Sequence, residues 1–284
     1  MSLFNKLMFG NDKIKLPETR FKQFFYIFKE NLLLLFYTGL FSFLFLAPTI
    51  YIILSTYTRY YQLITSESIN SSEIMQLLLS CGILLIFSIS FLGIGISGIY
   101  NIIIKLAFNE GARFKDYFIG IKQNILKFLI IYFIEGVLIF FLLLNYGAYY
   151  FLPINKYMKL FALIISTLFL LIYMLVKPFI LVQLMVFKNN KIQLIKNSFL
   201  LMISKLIPAL FIFIITNFLY ALLLIFIGAP LIITMILIIM FQNVYSSLIN
   251  VLFVINTYEG LIDKNDYKEI YHKGLKDYEE SQDI

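Results

Sequence analysis

The amino-acid sequence predicts an all-α polytopic integral membrane protein of about six transmembrane helices, arranged as three hairpins with short interfacial amphipathic helices on the cytoplasmic side. Three observations carry this. The chain is 61% hydrophobic and only 14% charged, against about 25% charged in an average soluble domain. Its apolar residues fall in long runs without a charge, at 31–58, 74–104 and 206–258. Its basic residues sit in short clusters between those runs rather than along one water-facing surface. Such a chain needs lipid as its solvent.

The first thirty residues form a basic, amphipathic lead-in assigned to the cytoplasm. They carry charges throughout and lack a central apolar stretch with a small-residue cleavage site, so no removable signal peptide is expected and the first span reads as an uncleaved anchor. Phe21, Phe24, Phe25 and Phe28 follow i, i+3, i+4, i+7 with lysines opposite, the pattern of a helix lying in the inner interface.

The membrane domain, 31–258, contains the six expected spans. The first, 32–54, covers a hydrocarbon core of about 30 Å at about 1.5 Å per residue, and Pro48 within it is tolerable because neighbouring helices re-satisfy the freed backbone groups. A polar connection at 59–73 leads to span two, 78–104, and the polar segment 105–127 leads to span three, 128–152, which carries one acid, Glu135. A tight turn at 153–159 precedes span four, 160–187, interrupted by Lys177 and Pro178, where a tilt or bend is expected. The run 206–258 would reach about 80 Å as one helix, so it must fold back. Gly228, Ala229 and Pro230 supply the reversal between span five, 206–227, and span six, 231–255. The charged tail, 259–284, places Tyr267, Ile270, Tyr271 and Leu275 at helical spacing, which suggests a short surface helix.

Charge placement orients the chain. Of 23 lysines and arginines, 20 fall in the lead-in, the second-to-third connection, the fourth-to-fifth region and the tail, leaving Arg59, Lys156 and Lys159 on the other side. The positive-inside rule then puts both termini in the cytoplasm of a cell-membrane protein. The net charge of +7 is read as topology signal and contact with anionic lipid, not as a nucleic-acid surface.

Sliding the chain by 93 positions lays residues 21–33 over 114–126, matching Phe21 with Phe114, Lys22 with Lys115, Phe25 with Phe118, Lys29 with Lys122, Asn31 with Asn124 and Leu33 with Leu126. A fainter echo around Ile195, Lys196 and Leu200 precedes span five. The pattern suggests three hairpins each introduced by an interfacial helix; composition rich in Phe, Lys and Leu would produce a similar echo without duplication.

Glu135 and Lys177 are the candidate intramembrane ion pair. Glu135 lies about 12 Å and Lys177 about 16 Å in from the cytoplasmic ends of neighbouring spans. An unpaired charge there costs at least about 2.5–3.5 kcal/mol, so a partner or a wet cavity is expected. The pair reads as a substrate or proton site, as a structural clamp between spans three and four, or as a Lys177 that ends a short span and snorkels. Gly93, Gly95 and Gly98 spell G-x-G-x-x-G, but inside an apolar helix with no preceding strand they are not a dinucleotide fingerprint. Gly93, Ser97 and Gly98 read instead as a helix-packing face, or as a local break lining a cavity.

Cys81 is the single cysteine and His272 the single histidine, so no disulfide, no multi-cysteine or histidine metal site and no histidine-dependent nucleophile can be assembled in the spans. No cofactor and no enzymatic activity are expected. A cytoplasmic partner-contact segment is suggested by Glu110, Gly111, Ala112, Phe118 and Ile121, whose spacing looks like the coupling loop of binding-protein-dependent transporter permeases. Lys105 and Leu106 replace that motif's leading acid and alanine, and its closing proline is missing.

The run Gly98, Tyr100, Lys105, Leu106, Asn109, Glu110, Gly111, Phe114, Lys115, Asp116, Tyr117, Phe118, Lys122 and Asn124, with Lys196, Asn197 and Ser198 further on, resembles the signature region of the YesL-like family of bacterial membrane proteins. The chain departs from that pattern in its longer lead-in and tail and in having no tryptophan. The resemblance implies a multi-pass plasma-membrane protein, often associated with carbohydrate uptake systems, and carries over no functional residues. The expected function is a non-enzymatic accessory or permease-like component of small-solute uptake. Its expected partners are lipid, including anionic lipid, and either ABC transporter components or further copies of itself. The alternative is a membrane scaffold or assembly factor with no conduction path. A transporter should direct Glu135, Lys177, Asn145, Gln183 and Asn217 to a shared cavity, whereas a scaffold should bury them as isolated pairs.

Overall fold

Uncharged runs too long for a soluble core become long helices, and among the described residues there is no strand. The computed structural model describes residues 16–65, 71–151, 153, 155–187, 190–225, 231–262, 264, 267 and 269–278. In chain order the helices are α1 (Arg20–Glu30), α2 (Leu32–Thr65), α3 (Ser71–Ala107), α4 (Lys115–Phe151), α5 (Lys156–Val186), α6 (Lys191–Ser204), α7 (Leu206–Ile225) and α8 (Leu231–Glu259). By length and composition α2, α3, α4 and α5 are each able to cross a membrane. A fifth crossing is added if α6 and α7, bent by 93° at Lys205, are taken as one broken span. The run expected to fold back is divided between α7 and α8, and the reversal expected at Gly228, Ala229 and Pro230 lies outside the described residues.

The helices are longer than the expected spans. α2 has 34 residues and α3 and α4 have 37 each, so they reach about 51–56 Å, well beyond a hydrocarbon core of about 30 Å. The connection expected at 59–73 is helical up to Thr65 and again from Ser71, because nothing between Arg59 and Thr65 breaks the backbone ladder. Pro48 lies inside α2 and Pro178 inside α5, and both helices continue through them.

The three expected lead-in helices have two different fates. α1 is separate, ended at Asn31, whose N–H donates to the Ile27 carbonyl at 3.0 Å. α6 is separate too, set off by the bend at Lys205. The middle one is not separate: it forms the first turns of α4. Asp116 accounts for this: its carboxylate accepts from the Arg113 N–H at 2.7 Å and from Lys105 Nζ at 2.8 Å, while its carbonyl accepts from Asn101 Nδ2 at 2.7 Å. The start of α4 is thereby fastened to the end of α3, with the Tyr117 side chain fully buried between them.

α1 packs on the bundle through a polar face. The face it buries is Arg20, Gln23 and Ile27, while Phe21 is 75% and Phe25 58% exposed. All five guanidinium N–H groups of Arg20 are used. Nε and Nη2 meet the Glu259 carboxylate at the end of α8, Nη1 donates to Gln23 Oε1 (2.7 Å) and the Ala107 carbonyl (3.1 Å), and Nη2 donates to the Lys273 carbonyl at 3.0 Å. Gln23 Nε2 adds bonds to the carbonyls of Ala107 (2.8 Å) and Gly274 (3.2 Å).

In the tail, part of the stretch expected as a surface helix lies outside the described residues, and a helical turn follows at 276–278. Residues 269–275 are a series of turns, with His272 at φ 55° and Gly274 at φ 81° reversing the chain, and Leu275 buried. Gly274 lies so close to α3 that a Cβ there would stand 2.3 Å from the Ala107 carbonyl oxygen. Only glycine meets both demands, the left-handed backbone and the missing side chain. Lead-in, α3, α8 and tail are thus tied together at one end of the bundle.

Candidate intramembrane site

The core of the bundle is apolar on α3, α4 and α5, with Ile99, Ile102, Ile103, Phe128, Phe179 and Leu181 each at most 1% exposed. Against this background a cavity of about 330 Å³ between α3, α4, α5, α7 and α8 stands out for its polar lining. Glu135 comes from α4, Lys177 and Pro178 from α5, Thr216 and Asn217 from α7, and Gln242, Asn243, Ser246, Ser247 and Asn250 from α8. Tyr100 and Tyr132 add two phenol rings, and Phe179, Phe213 and Phe253 add apolar walls.

Lys177 Nζ donates to both carboxylate oxygens of Glu135, at 2.9 and 2.8 Å, and stands 4.7 Å from the centre of the Tyr132 ring. The pair is held from α4 by Glu135, which is 7% exposed, and from α5 just before Pro178. Proline has no N–H to offer the Met174 carbonyl one turn back, and both residues line the cavity. Tyr173 fixes the register of the two helices by donating its hydroxyl to the Ile131 carbonyl.

The opposite wall comes from α8. Gln242, Ser246 and Asn250 recur every fourth residue, as do Asn243 and Ser247, so one stripe of the helix is polar. Gln242 Nε2 donates to the Thr216 carbonyl at 2.6 Å, which ties α8 to α7. Asn243 Nδ2 donates to Ser42 Oγ on α2 at 3.3 Å. Thr216 Oγ1 and Asn217 Nδ2 each return to carbonyls of their own helix at 2.8 Å.

Of the five polar residues whose direction separates a transporter from a scaffold, Glu135, Lys177 and Asn217 line this cavity. Gln183 does not: it is fully buried and donates to Ser198 Oγ at 2.9 Å, fastening α5 to α6. Asn145 lies elsewhere, between α4 and α5, donating to the Ala162 carbonyl at 3.5 Å. The α8 stripe was legible as four-residue spacing of amides and serines in an uncharged run, a signal that a search for charges passes over.

The small residues of α3 pack against α4. A Cβ on Gly93 would stand 2.7 Å from Tyr132 Cδ2 and 2.9 Å from the Phe128 carbonyl oxygen. One on Gly98 would stand 2.5 Å from Tyr117 Cδ2 and 2.8 Å from the Tyr117 carbonyl oxygen. Ser97 is fully buried and donates to the Ile94 carbonyl at 2.7 Å. α4 answers with Gly120 and Gly136, whose Cβ positions fall 2.4 Å from Asn101 Cβ and 2.7 Å from Ile86 Cα. Close backbone approach through small residues is a usual packing mode between helices in lipid.

The segment expected to contact a partner, from Glu110 to Ile121, is a turn followed by a helix start. Asn109 and Gly111 take positive φ, 55° and 66°. Glu110 pairs with Lys273 of the tail at 2.7 Å, and Gly111 is exposed. Ala112 and Ile121 pack against the core, while the half-exposed Phe118 meets Phe41 of α2 at 5.9 Å between ring centres. Among the described residues no group of three or more His, Cys, Asp or Glu side chains is placed to hold a metal ion.

Comparison of the chain with protein-family models, curated proteins and solved structures finds no match.

Proposed function

We propose that this chain is a non-enzymatic, multi-pass plasma-membrane protein whose buried polar cavity receives a small polar solute, as an accessory or permease-like component of uptake. The observation that carries the reading is the cavity of about 330 Å³, with an ion pair on one wall and a stripe of amides and serines on the other. Its volume falls in the range of about 300–1,000 Å³ usual for small-molecule sites. Polar groups inside a membrane are costly and ordinarily mark a pathway or a binding site. The resemblance of residues 98–124 to the YesL-like family supports a place beside carbohydrate uptake, with ABC transporter components or a second copy of the chain as partners. The same reading has six spans in three hairpins, with α7 and α8 as the last, and both termini in the cytoplasm, as the placement of lysine and arginine supports.

Cysteine accessibility tests this. Ser246→Cys should react in native membranes with a small cationic methanethiosulfonate, as a solute-accessible cavity requires, while buried Cys81 supplies little background. A silent Ser246→Cys would favour a scaffold without a conduction path. The Gln183 to Ser198 bond, a polar contact that only joins two helices, is the observation on that side.

A further inference from the structure

The polar cavity holds one acid and one base, and they neutralise each other. Among the described residues that line it, Glu135 and Lys177 are the only Asp, Glu, Lys or Arg side chains. Both carboxylate oxygens of Glu135 are engaged by Lys177, at 2.9 and 2.8 Å, and the Tyr132 ring stands 4.7 Å from the same ammonium. Every other polar side chain among those described residues is an uncharged amide, hydroxyl or phenol.

Resting on the reading of this cavity as a solute site, we propose that it selects solutes without net charge, and that the Glu135–Lys177 pair sets that selectivity. A solute anion would need an unbalanced cation: Lys177 keeps a third N–H, but its charge is already neutralised by Glu135, and drawing it away to balance the anion would strand Glu135 as a buried charge without a partner. A solute cation meets the mirror-image obstacle. In a low-dielectric interior, removing one partner of a buried pair is far costlier than leaving the pair intact. A neutral hydrogen-bonding solute meets no such penalty: it exchanges bonds with Asn217, Asn243, Ser246, Ser247 and Asn250 while the ion pair stays closed. The pair therefore acts as a charge filter rather than as a ligand.

The filter can be inverted by changing one residue. Glu135→Gln keeps the shape of the side chain and leaves Lys177 as a free cation, so the cavity should take an anion. Lys177→Met leaves Glu135 free, so it should take a cation. The preference should change by about 100-fold, the factor that corresponds to one uncompensated charge at membrane depth.

The test uses three fluorinated probes of similar size, fluoroacetamide, fluoroacetate and 2-fluoroethylammonium, with ¹⁹F line broadening read on the full-length protein in nanodiscs. Wild type should broaden the amide and neither ion; Glu135→Gln should gain fluoroacetate, and Lys177→Met should gain 2-fluoroethylammonium. Wild type that takes an ion as well as the amide overturns the neutrality claim and leaves the solute reading standing. Wild type with the expected preference but variants that gain no ion overturns the assignment of the filter to this pair. No broadening of any probe in any form removes the solute reading itself. Should a single variant fail to fold, the wild-type panel still decides neutrality, and Glu135→Gln/Lys177→Met, which keeps the cavity uncharged, must keep the preference for the amide.

Discussion

Arg20 at the start of α1 and Glu259 at the end of α8 are 239 positions apart in sequence, yet they form a buried two-pronged ion pair, with Nε to Oε2 at 3.0 Å. The same carboxylate also accepts the His272 N–H at 3.0 Å. A guanidinium with all five donors placed and a carboxylate accepting three bonds make a site where either loss strands a buried charge. Glu259→Gln or Arg20→Met is expected to destabilise the protein by about 3–5 kcal/mol. The pair of changes together should cost less than the sum of the two. Denaturant unfolding in detergent measures this, and strict additivity would remove the pairing.

The tail depends on Gly274. Any side chain there is strained by φ 81° and collides with the Ala107 carbonyl. Gly274→Ala should lift the tail from α3 and expose the peptide bonds after Lys273 and Lys276 to trypsin, while the helical circular dichroism signal stays near wild type. Unchanged cleavage would show that the tail is held by other contacts.

Two glycines should respond for opposite reasons. Gly98→Ala meets the Tyr117 ring and backbone in its immediate surroundings, so overpacking of α3 on α4 is expected to cost about 1–3 kcal/mol. Gly111→Ala meets nothing within 4 Å, and its cost is that of a left-handed backbone alone, about 1–2 kcal/mol. Restoring space with Tyr117→Ala should partly rescue the first and leave the second unaffected; rescue of both or neither would contradict the two mechanisms.

Glu135→Gln and Lys177→Met should each destabilise the bundle, and the double change should cost less than their sum, because the double leaves no charge stranded. A double-mutant cycle on unfolding midpoints reads the coupling, and zero coupling would mean that the contact at 2.8 Å contributes nothing.

Topology is open to direct labelling. Thr65→Cys, exposed at the end of α2, should react with an impermeant maleimide on intact cells, and Tyr267→Cys should stay silent until the membrane is permeabilised. The reverse result would invert the orientation of every helix discussed above.

The run lengths and charge clusters of the sequence determined an all-α chain built from long apolar helices, because lipid leaves the backbone no choice but to bond within its own segment. They also placed Glu135 and Lys177 at similar depth, since depth along a helix follows from counting residues. Tertiary structure alone decided which way α1 turns its faces, that the second lead-in belongs to α4, that the tail folds back at His272 and Gly274, and that a stripe on α8 meets the ion pair across a cavity. The physical reason is the same in each case. Hydrophobic periodicity distinguishes apolar from polar faces, but a buried polar face such as Arg20 with Gln23 is chosen by partners far away in the chain. Those partners, Glu259, Ala107 and Gly274, carry no local mark of their role.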